Sequence, residues 1–371
     1  MQRYTFLFLL CGFILSHTPQ AIAQTDSLRA SEVSLEKMIG QMIMSGVGDF
    51  SYITDDAPIL REIEEGLVGG VIYFEKNVNR NSPSKQLKRM SELLKQKSET
   101  PLFIGIDEEG GKVNRLKPKY GFPKTVSAQY LGGLDNADST AFYANTTSAL
   151  LSELGININF SPSVDVNVNP ENPVIGKIGR SYSEDECKVA RHAAEVIKTH
   201  RTNGVITVLK HFPGHGSSRA DTHLGIADVS DYWQFKELMP YKNLLDSGLV
   251  DAVMTAHIVN RHLDDSMLPA TLSPTIVNNI LRKMMGFDGV VFSDDMQMHA
   301  ISKEYTLEEA IKLAIEAGVD VLMFANNVAN SDKHSGREVH GIILNLVRSG
   351  QIPVSRIEES YTRILELKGR L

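Results

Sequence analysis

Cysteine is nearly absent from this sequence, which holds only Cys11 and Cys187 in 371 residues. The first falls in an N-terminal stretch with the make-up of a secretory leader: Arg3, the apolar run Phe6 to Leu15, and Ala21-Ile22-Ala23 ahead of Gln24. Cleavage after Ala23 would leave Cys187 alone, so no intramolecular disulfide is expected although the destination, periplasm or medium, is oxidising. Leu10 stands directly before Cys11, where a lipid anchor needs a small residue, so the cysteine is not read as one. Long apolar runs are lacking as well. The leader's own run is well short of the ~20 residues that span a bilayer, so no stable membrane insertion is expected once it is removed. Basic charge is in deficit, 38 Lys and Arg against 45 Asp and Glu, and loss of Arg3 makes the remainder one unit more acidic. That balance argues against a nucleic-acid partner. No Ser/Gly/Pro-rich linker, low-complexity tract or short-period repeat breaks the chain, so residues 1–23 are read as a signal peptide and 24–371 as one domain.

What is present is an alternation. Runs rich in Val, Ile and Phe recur at Met42–Val47, Gly70–Phe74, Leu102–Ile106, Ile156–Phe160, Val205–Leu209, Ala252–His257, Val290–Phe292 and Val319–Phe324. Between them, apolar residues recur at three and four over Ser84–Lys97, Ser139–Leu154, Glu184–Arg201, Pro274–Met285, Leu307–Gly318 and Gly336–Ser349, with Ile357–Lys368 at the end. Gly204, Gly286 and Gly318 each close one helical pattern just before a strand, as helix-terminating glycines do. Eight strands alternating with helices predict an α/β fold, a single closed parallel (β/α)8 TIM-type barrel. An open doubly wound sheet is the competing arrangement.

Barrels of this kind carry their chemistry at the carboxyl ends of the strands, and the polar residues of this chain gather there. The third run leads into Asp107-Glu108-Glu109-Gly110-Gly111-Lys112-Val113-Asn114-Arg115. Asp165 and Gly179-Arg180-Ser181 follow the fourth, and Lys210-His211-Phe212-Pro213-Gly214-His215-Gly216 the fifth, running on to Asp221-Thr222-His223. His257 ends the sixth and Ser293-Asp294-Asp295 the seventh. An aspartate after a strand often does no more than cap the next helix; several clusters at one end of consecutive strands point to a site. Asp294 or Asp295 would be held at the rim by a rigid strand, as a nucleophile should be. Neighbours on an extended segment face opposite ways, so only one of the two can point at the barrel axis, and spacing does not choose. If the stretch around Asp221 and His223 is extended, both side chains share one side, and the carboxylate can fix the imidazole's tautomer. Lys210, His211, Arg180 and Arg115 would suit sugar hydroxyls or a carbonyl as donors, and Asp107 as an acceptor; the plainer alternative is an ion-pair network tying strand ends together.

These residues resemble glycoside hydrolase family 3, in its β-N-acetylglucosaminidase branch that trims cell-wall muropeptides. The resemblance runs through Asp107-x-Glu-Gly-Gly-x-Val-x-Arg115, Gly179-Arg180-Ser181-Tyr182, the Lys210–Gly216 loop with Asp221-Thr222-His223, and Phe292-Ser293-Asp294-Asp295-Met296-Gln297-Met298. It implies Asp294 as nucleophile, His223 as acid/base supported by Asp221, and sugar binding by Asp107, Arg115, Arg180, Lys210 and His211. Lys112 stands where many relatives carry arginine, and Thr222 replaces the usual serine. Many members continue into a second domain; this chain looks like the single-barrel form. The implied activity is retaining release of terminal β-linked N-acetylglucosamine from peptidoglycan fragments or chito-oligosaccharides, with no cofactor and no metal. Gly214 and Gly216 with Ser217 and Ser218 between His211 and the Asp221–His223 pair predict a segment that moves to bring His223 over bound sugar.

Four other readings compete. A β-glucosidase would lack the Asp221–His223 pair. A phosphorylase on the same barrel is favoured by a neutral histidine, which repels phosphate less than a carboxylate would. A metal-dependent hydrolase could draw on His211, His215, His223, His257, Asp221 and Asp320, but Met42–Val47 lacks the His-x-His pair such sites want. A non-catalytic sugar binder would not need Asp294 and His223 together.

Overall fold

The computed structural model describes residues 33–371, so the leader inferred for residues 1–23 lies outside the described residues. Eight strands, β1 (Ile43–Gly46), β2 (Gly70–Tyr73), β3 (Phe103–Ile106), β4 (Ile158–Asn159), β5 (Ile206–Phe212), β6 (Ala252–Thr255), β7 (Val290–Asp295) and β8 (Val321–Phe324), pair in parallel in chain order. β8 closes on β1 through Ile43 and Leu322, which makes a barrel and excludes the open sheet. Each strand falls on one of the expected apolar runs. The runs are nearly continuous because a barrel strand is covered by helices outside and by packed side chains inside; β1 to β6 and β8 are buried at nearly every position.

Two strands run further than their apolar character suggests. β5 continues through Lys210, His211 and Phe212, and β7 through Ser293, Asp294 and Asp295. The polar residues expected in loops therefore stand on strand ends, where the ladder fixes their backbone.

Phe292 on β7 meets Phe103 on β3 with ring centroids 6.0 Å apart, and Phe160 just past β4 edge-on at 5.6 Å. Because β7 neighbours neither β3 nor β4, these rings pack across the barrel interior. Gly105 makes room for them: a Cβ there would lie 2.7 Å from both Met44 Cε and Phe160 Cε2. Met44 can bend away, but the wedged phenyl ring cannot. Gly105→Val is expected to cost about 1–3 kcal/mol through overpacking, read as a lower denaturant midpoint at unchanged slope.

Helices Pro83–Lys97, Ala137–Glu153, Glu186–Thr202, Leu307–Ala317, Gly336–Arg348 and Val354–Lys368 lie within a turn of the expected bounds. Their ends follow local chemistry: Asp185 accepts from the Cys187 and Lys188 N–H groups, and Thr306 with Glu309 forms a capping box. The Pro274–Met285 pattern is wound differently, as a π-helix over Thr275–Met284. Short helices at Leu35–Gln41, Pro58–Glu64, Ala128–Leu134 and Met239–Asp246 carry too few turns to show a period. Outside the barrel, Ala227–Asp228 pairs with Ile258–Val259, and Trp233 packs on Ala227, Val229, Ala256 and Ile258. This small layer fastens the chain just beyond His223 to the segment after β6. Among the described residues no helix is long and apolar enough to cross a membrane.

Candidate active site

A cavity of about 420 Å3 opens among the strand ends, lined by Asp107 after β3, Arg115, His223, and Asp294 and Asp295 on β7. Its apolar wall comes from Ile72, Phe74, Met254, Met298 and Met323, and Asn327 to Asn330 after β8 close another side. That volume suits a small ligand, for which about 300–1,000 Å3 is usual.

Asp294 and Asp295 both reach this cavity, against the expectation that they part. The pairing of β7 with β8 explains it: Phe292 matches Val321 but Asp295 matches Met323, so β7 carries an extra residue and the alternation breaks. Their carboxylates differ in commitment. Asp295 is buried and its Oδ1 accepts from the Gln297 and Ala325 N–H groups at 3.1 and 3.3 Å. Burial, with the charge of Asp294 adding to it, pushes its carboxyl up to about 7. Asp294 is half-buried and, among the described residues, accepts only from the Asp295 N–H, at 2.8 Å. Burial works against its ionisation too, yet the fields of His257, His211 and His223 prevail and hold it below the ordinary carboxylate value.

Asp221 and His223 do meet, though through a turn rather than an extended segment. Asp221 Oδ1 accepts from the His223 backbone N–H at 2.8 Å and from Nδ1 at 2.7 Å. Thr222 between them is buried, and its carbonyl accepts from the Ala300 N–H at 3.2 Å. With Nδ1 taken, Nε2 is the ring nitrogen left to act at the cavity, and the imidazole is 59% exposed.

Of the five residues expected to bind sugar, Asp107 and Arg115 line the cavity. Arg115 Nη2 donates to Asp107 Oδ2 at 3.2 Å, and its guanidinium lies 5.7 Å from the Phe74 ring centre. Lys210, Arg180 and His211 do not line it and form the network that steadies it. Lys210 Nζ donates to Asp107 Oδ1 at 2.6 Å and contacts Glu109 Oε1 at 2.7 Å. Arg180 grips Glu109 through Nε at 2.9 Å and Nη2 at 2.7 Å. His211 Nδ1 donates to Asp165 Oδ2 at 2.7 Å, and Nε2 accepts from Arg180 at 3.1 Å, so both its ring nitrogens are engaged within the protein. Burial disfavours the charges on Asp107 and Glu109, but Lys210, Arg115 and Arg180 outweigh it; Glu109 falls to about 2 and Asp107 well below the usual range.

Glu109 and Asp165 stand in the strand-end clusters that the sequence marks, but no role is legible for either there. Three consecutive acids after β3 cannot be ranked by spacing, and nothing local marks Asp165, whose carboxylate also accepts from the His211 and His215 N–H groups. Gln297 is a third: its side chain holds Asn326 and so shapes the segment after β8. The side chains considered for a metal meet at most in pairs, such as Asp221 with His223. His257 bonds to the Asp295 carbonyl and the Thr271 hydroxyl. Asp320 precedes β8 at the opposite end of the barrel, bonded to Arg282 and Ser360. Among the described residues no three His, Cys, Asp or Glu side chains form a metal-holding group.

The chain is similar to known proteins over most of its length. Residues 34–367 match the glycosyl hydrolase family 3 N terminal domain. The chain is 31% identical over 323 residues to beta-hexosaminidase A of Pseudoalteromonas piscicida, covering 82% of this chain and 54% of that protein. It is 30% identical over 347 residues to a beta-hexosaminidase of Hydrogenovibrio crunogenus, covering 88% and 93%. Among solved structures it resembles a family 3 beta-N-acetylglucosaminidase from Paenibacillus sp. str. FPU-7, with TM-score 0.82, 36% identity, and coverage of 91% of this chain and 62% of that one. It likewise resembles the beta-N-acetylhexosaminidase of Beutenbergia cavernae, with TM-score 0.79, 29% identity, and coverage of 91% and 99%. The chain thus spans about half the Pseudoalteromonas protein and nearly all of the Hydrogenovibrio and Beutenbergia ones.

Proposed function

The chain belongs to glycosyl hydrolase family 3, and from that premise we propose that it is an exported, retaining exo-β-N-acetylglucosaminidase acting on peptidoglycan fragments or chito-oligosaccharides. The observation that carries the reading is that Asp294 and His223 border one cavity. In the first step an Asp294 carboxylate oxygen attacks the anomeric carbon, the glycosidic C–O bond breaks, and His223 Nε2–H gives its proton to the departing oxygen. In the second, Nε2 takes a proton from water, the oxygen attacks the anomeric carbon, and the Asp294 carboxylate leaves. Two displacements at one carbon retain its configuration. Asp221 holds the imidazole with Nε2 forward; Asp107 and Arg115 receive the sugar's hydroxyls, and Lys210, Arg180 and His211 keep that pair in place. The N-acetylglucosamine preference is supported by the beta-hexosaminidase relatives, and export by the leader composition of residues 1–23.

The test is product analysis. Chitobiose and a disaccharide muropeptide should each release free N-acetylglucosamine, and an aryl N-acetylglucosaminide should be cleaved far faster than the aryl glucoside. Preference for the glucoside would replace this reading with a β-glucosidase. The exposed imidazole also leaves phosphorolysis as a second reading. N-acetylglucosamine 1-phosphate replacing free sugar at high phosphate would establish it, and unchanged free sugar would rule it out.

A further inference from the structure

The stem of the segment bearing His223 rests on a buried acid that the chemistry above does not use. Glu237 is fully buried in the short helical turn Phe235–Leu238. One carboxyl oxygen, Oε1, accepts from the Gln234 N–H at 3.1 Å within its own turn; the other, Oε2, accepts from the Ser217 N–H, also at 3.1 Å. Ser217 lies midway between His211 on β5 and His223. Gly214, at φ +116°, lies flat on the same side chain: a Cβ there would be 2.6 Å from Glu237 Cβ. Trp233 Nε1 reaches the Pro213 carbonyl at 3.3 Å, so the stem is gripped at three successive points by one stretch of chain.

We propose that Glu237 is a positioning residue for the acid/base segment: its buried carboxyl clamps Gly214 to Ser217 and thereby sets where His223 stands over the cavity. The inference rests on the role given to His223 above. The clamp works in its neutral form. Burial, with the negative field of Asp165 adding to it, pushes Glu237 up to about 8. The charges and hydroxyls acting on it are ionised Asp165, the Ser217 hydroxyl and buried Tyr241. No cation faces it. The folded protein keeps the Glu237 proton to about pH 8, whereas an unfolded glutamate releases it near 4.5. The native state therefore binds more protons across that window, and the contribution of Glu237 to stability is full below it and is lost as pH rises through about 8.

Glu237→Gln keeps an acceptor for one of the two N–H groups and turns an amide NH2 toward the other; Glu237→Ala removes both acceptors. Hydrogen exchange of the full chain should show amides of residues 214–223 exchanging about tenfold faster in Glu237→Ala and faster by a smaller factor in Glu237→Gln, which keeps one of the two acceptor bonds. With chitobiose, kcat of Glu237→Ala should fall about tenfold to a hundredfold with KM little changed, while an activated aryl N-acetylglucosaminide, which needs less acid assistance, is nearly unaffected. Glu237→Gln should recover part of that loss. Wild type should lose protection in that segment, beyond the intrinsic pH dependence of exchange, between about pH 4.5 and about pH 8, and Glu237→Gln, which has no such proton to lose, should not. Equal losses on both substrates, or exchange in residues 214–223 unmoved by substitution and by pH, would overturn the proposal. The exchange arms read the clamp even if wild type cleaved neither substrate, and the Glu237→Gln and pH arms stand if Glu237→Ala does not fold.

Discussion

Asp294→Asn is expected to lower kcat on an aryl N-acetylglucosaminide by on the order of 10^4-fold or more, the scale on which loss of a nucleophile acts. The amide has nearly the same shape and can still accept from the Asp295 N–H, so thermal unfolding should hardly move. What it lacks is a carboxylate oxygen able to form and release a glycosyl ester. The neighbouring substitution is the control. Asp295 has its acceptor oxygen committed to the Gln297 and Ala325 N–H groups and is pushed up to about 7. Asp295→Asn keeps that geometry and should cost less than about tenfold. A greater loss at Asp295 than at Asp294 would mean the roles are reversed. Because Asp294 is held below the ordinary carboxylate value, it stays anionic as pH falls toward 4, and the acid limb of the rate profile should not be its titration.

The second large effect concerns His223. His223→Gly should slow chitobiose, whose leaving oxygen needs a proton, by about 10^2–10^4-fold, the contribution usual for a general acid. A dinitrophenyl N-acetylglucosaminide departs without that help, so its first step should be far less affected. Asp221→Asn, which leaves the ring attached to a weaker partner, should show the same pattern at smaller size. Equal losses on the two substrates would argue that His223 shapes the cavity rather than moves the proton.

The barrel was legible because a parallel strand buried on both faces must be apolar along its length, and the helices between must show a period of three and four. Periodicity fails where elements are short, hence the missing helix Pro58–Glu64, and where polar residues continue a ladder, as Lys210 and Asp294 do. Gathering of the acids, bases and cations at one barrel end was legible for a topological reason: chain order sets which loops share a rim. Which of Asp107, Glu108 and Glu109 does what was not, because it depends on partners contributed by β5 and by the segment holding Arg180. Glu108 shows the point: buried beside two ion-paired acids, it spends one oxygen on the Arg115 and Leu116 N–H groups and is pushed up to about 7. That Asp294 and Asp295 both reach the cavity follows from an extra residue in β7, which alternation cannot foresee. Glu237 stands in an unremarked stretch, and its importance comes from the close seat of Gly214, a long-range contact.

The account depends most on a covalent sugar at one oxygen of one aspartate. Incubation with 5-fluoro-N-acetylglucosaminyl fluoride, which forms the glycosyl ester quickly and loses it slowly, followed by peptic digestion and mass analysis, reads this directly. One added sugar is expected on the peptide spanning Phe292 to Met298, with fragmentation placing it on Asp294. An adduct on another residue, or none while the free sugar accumulates, would contradict it.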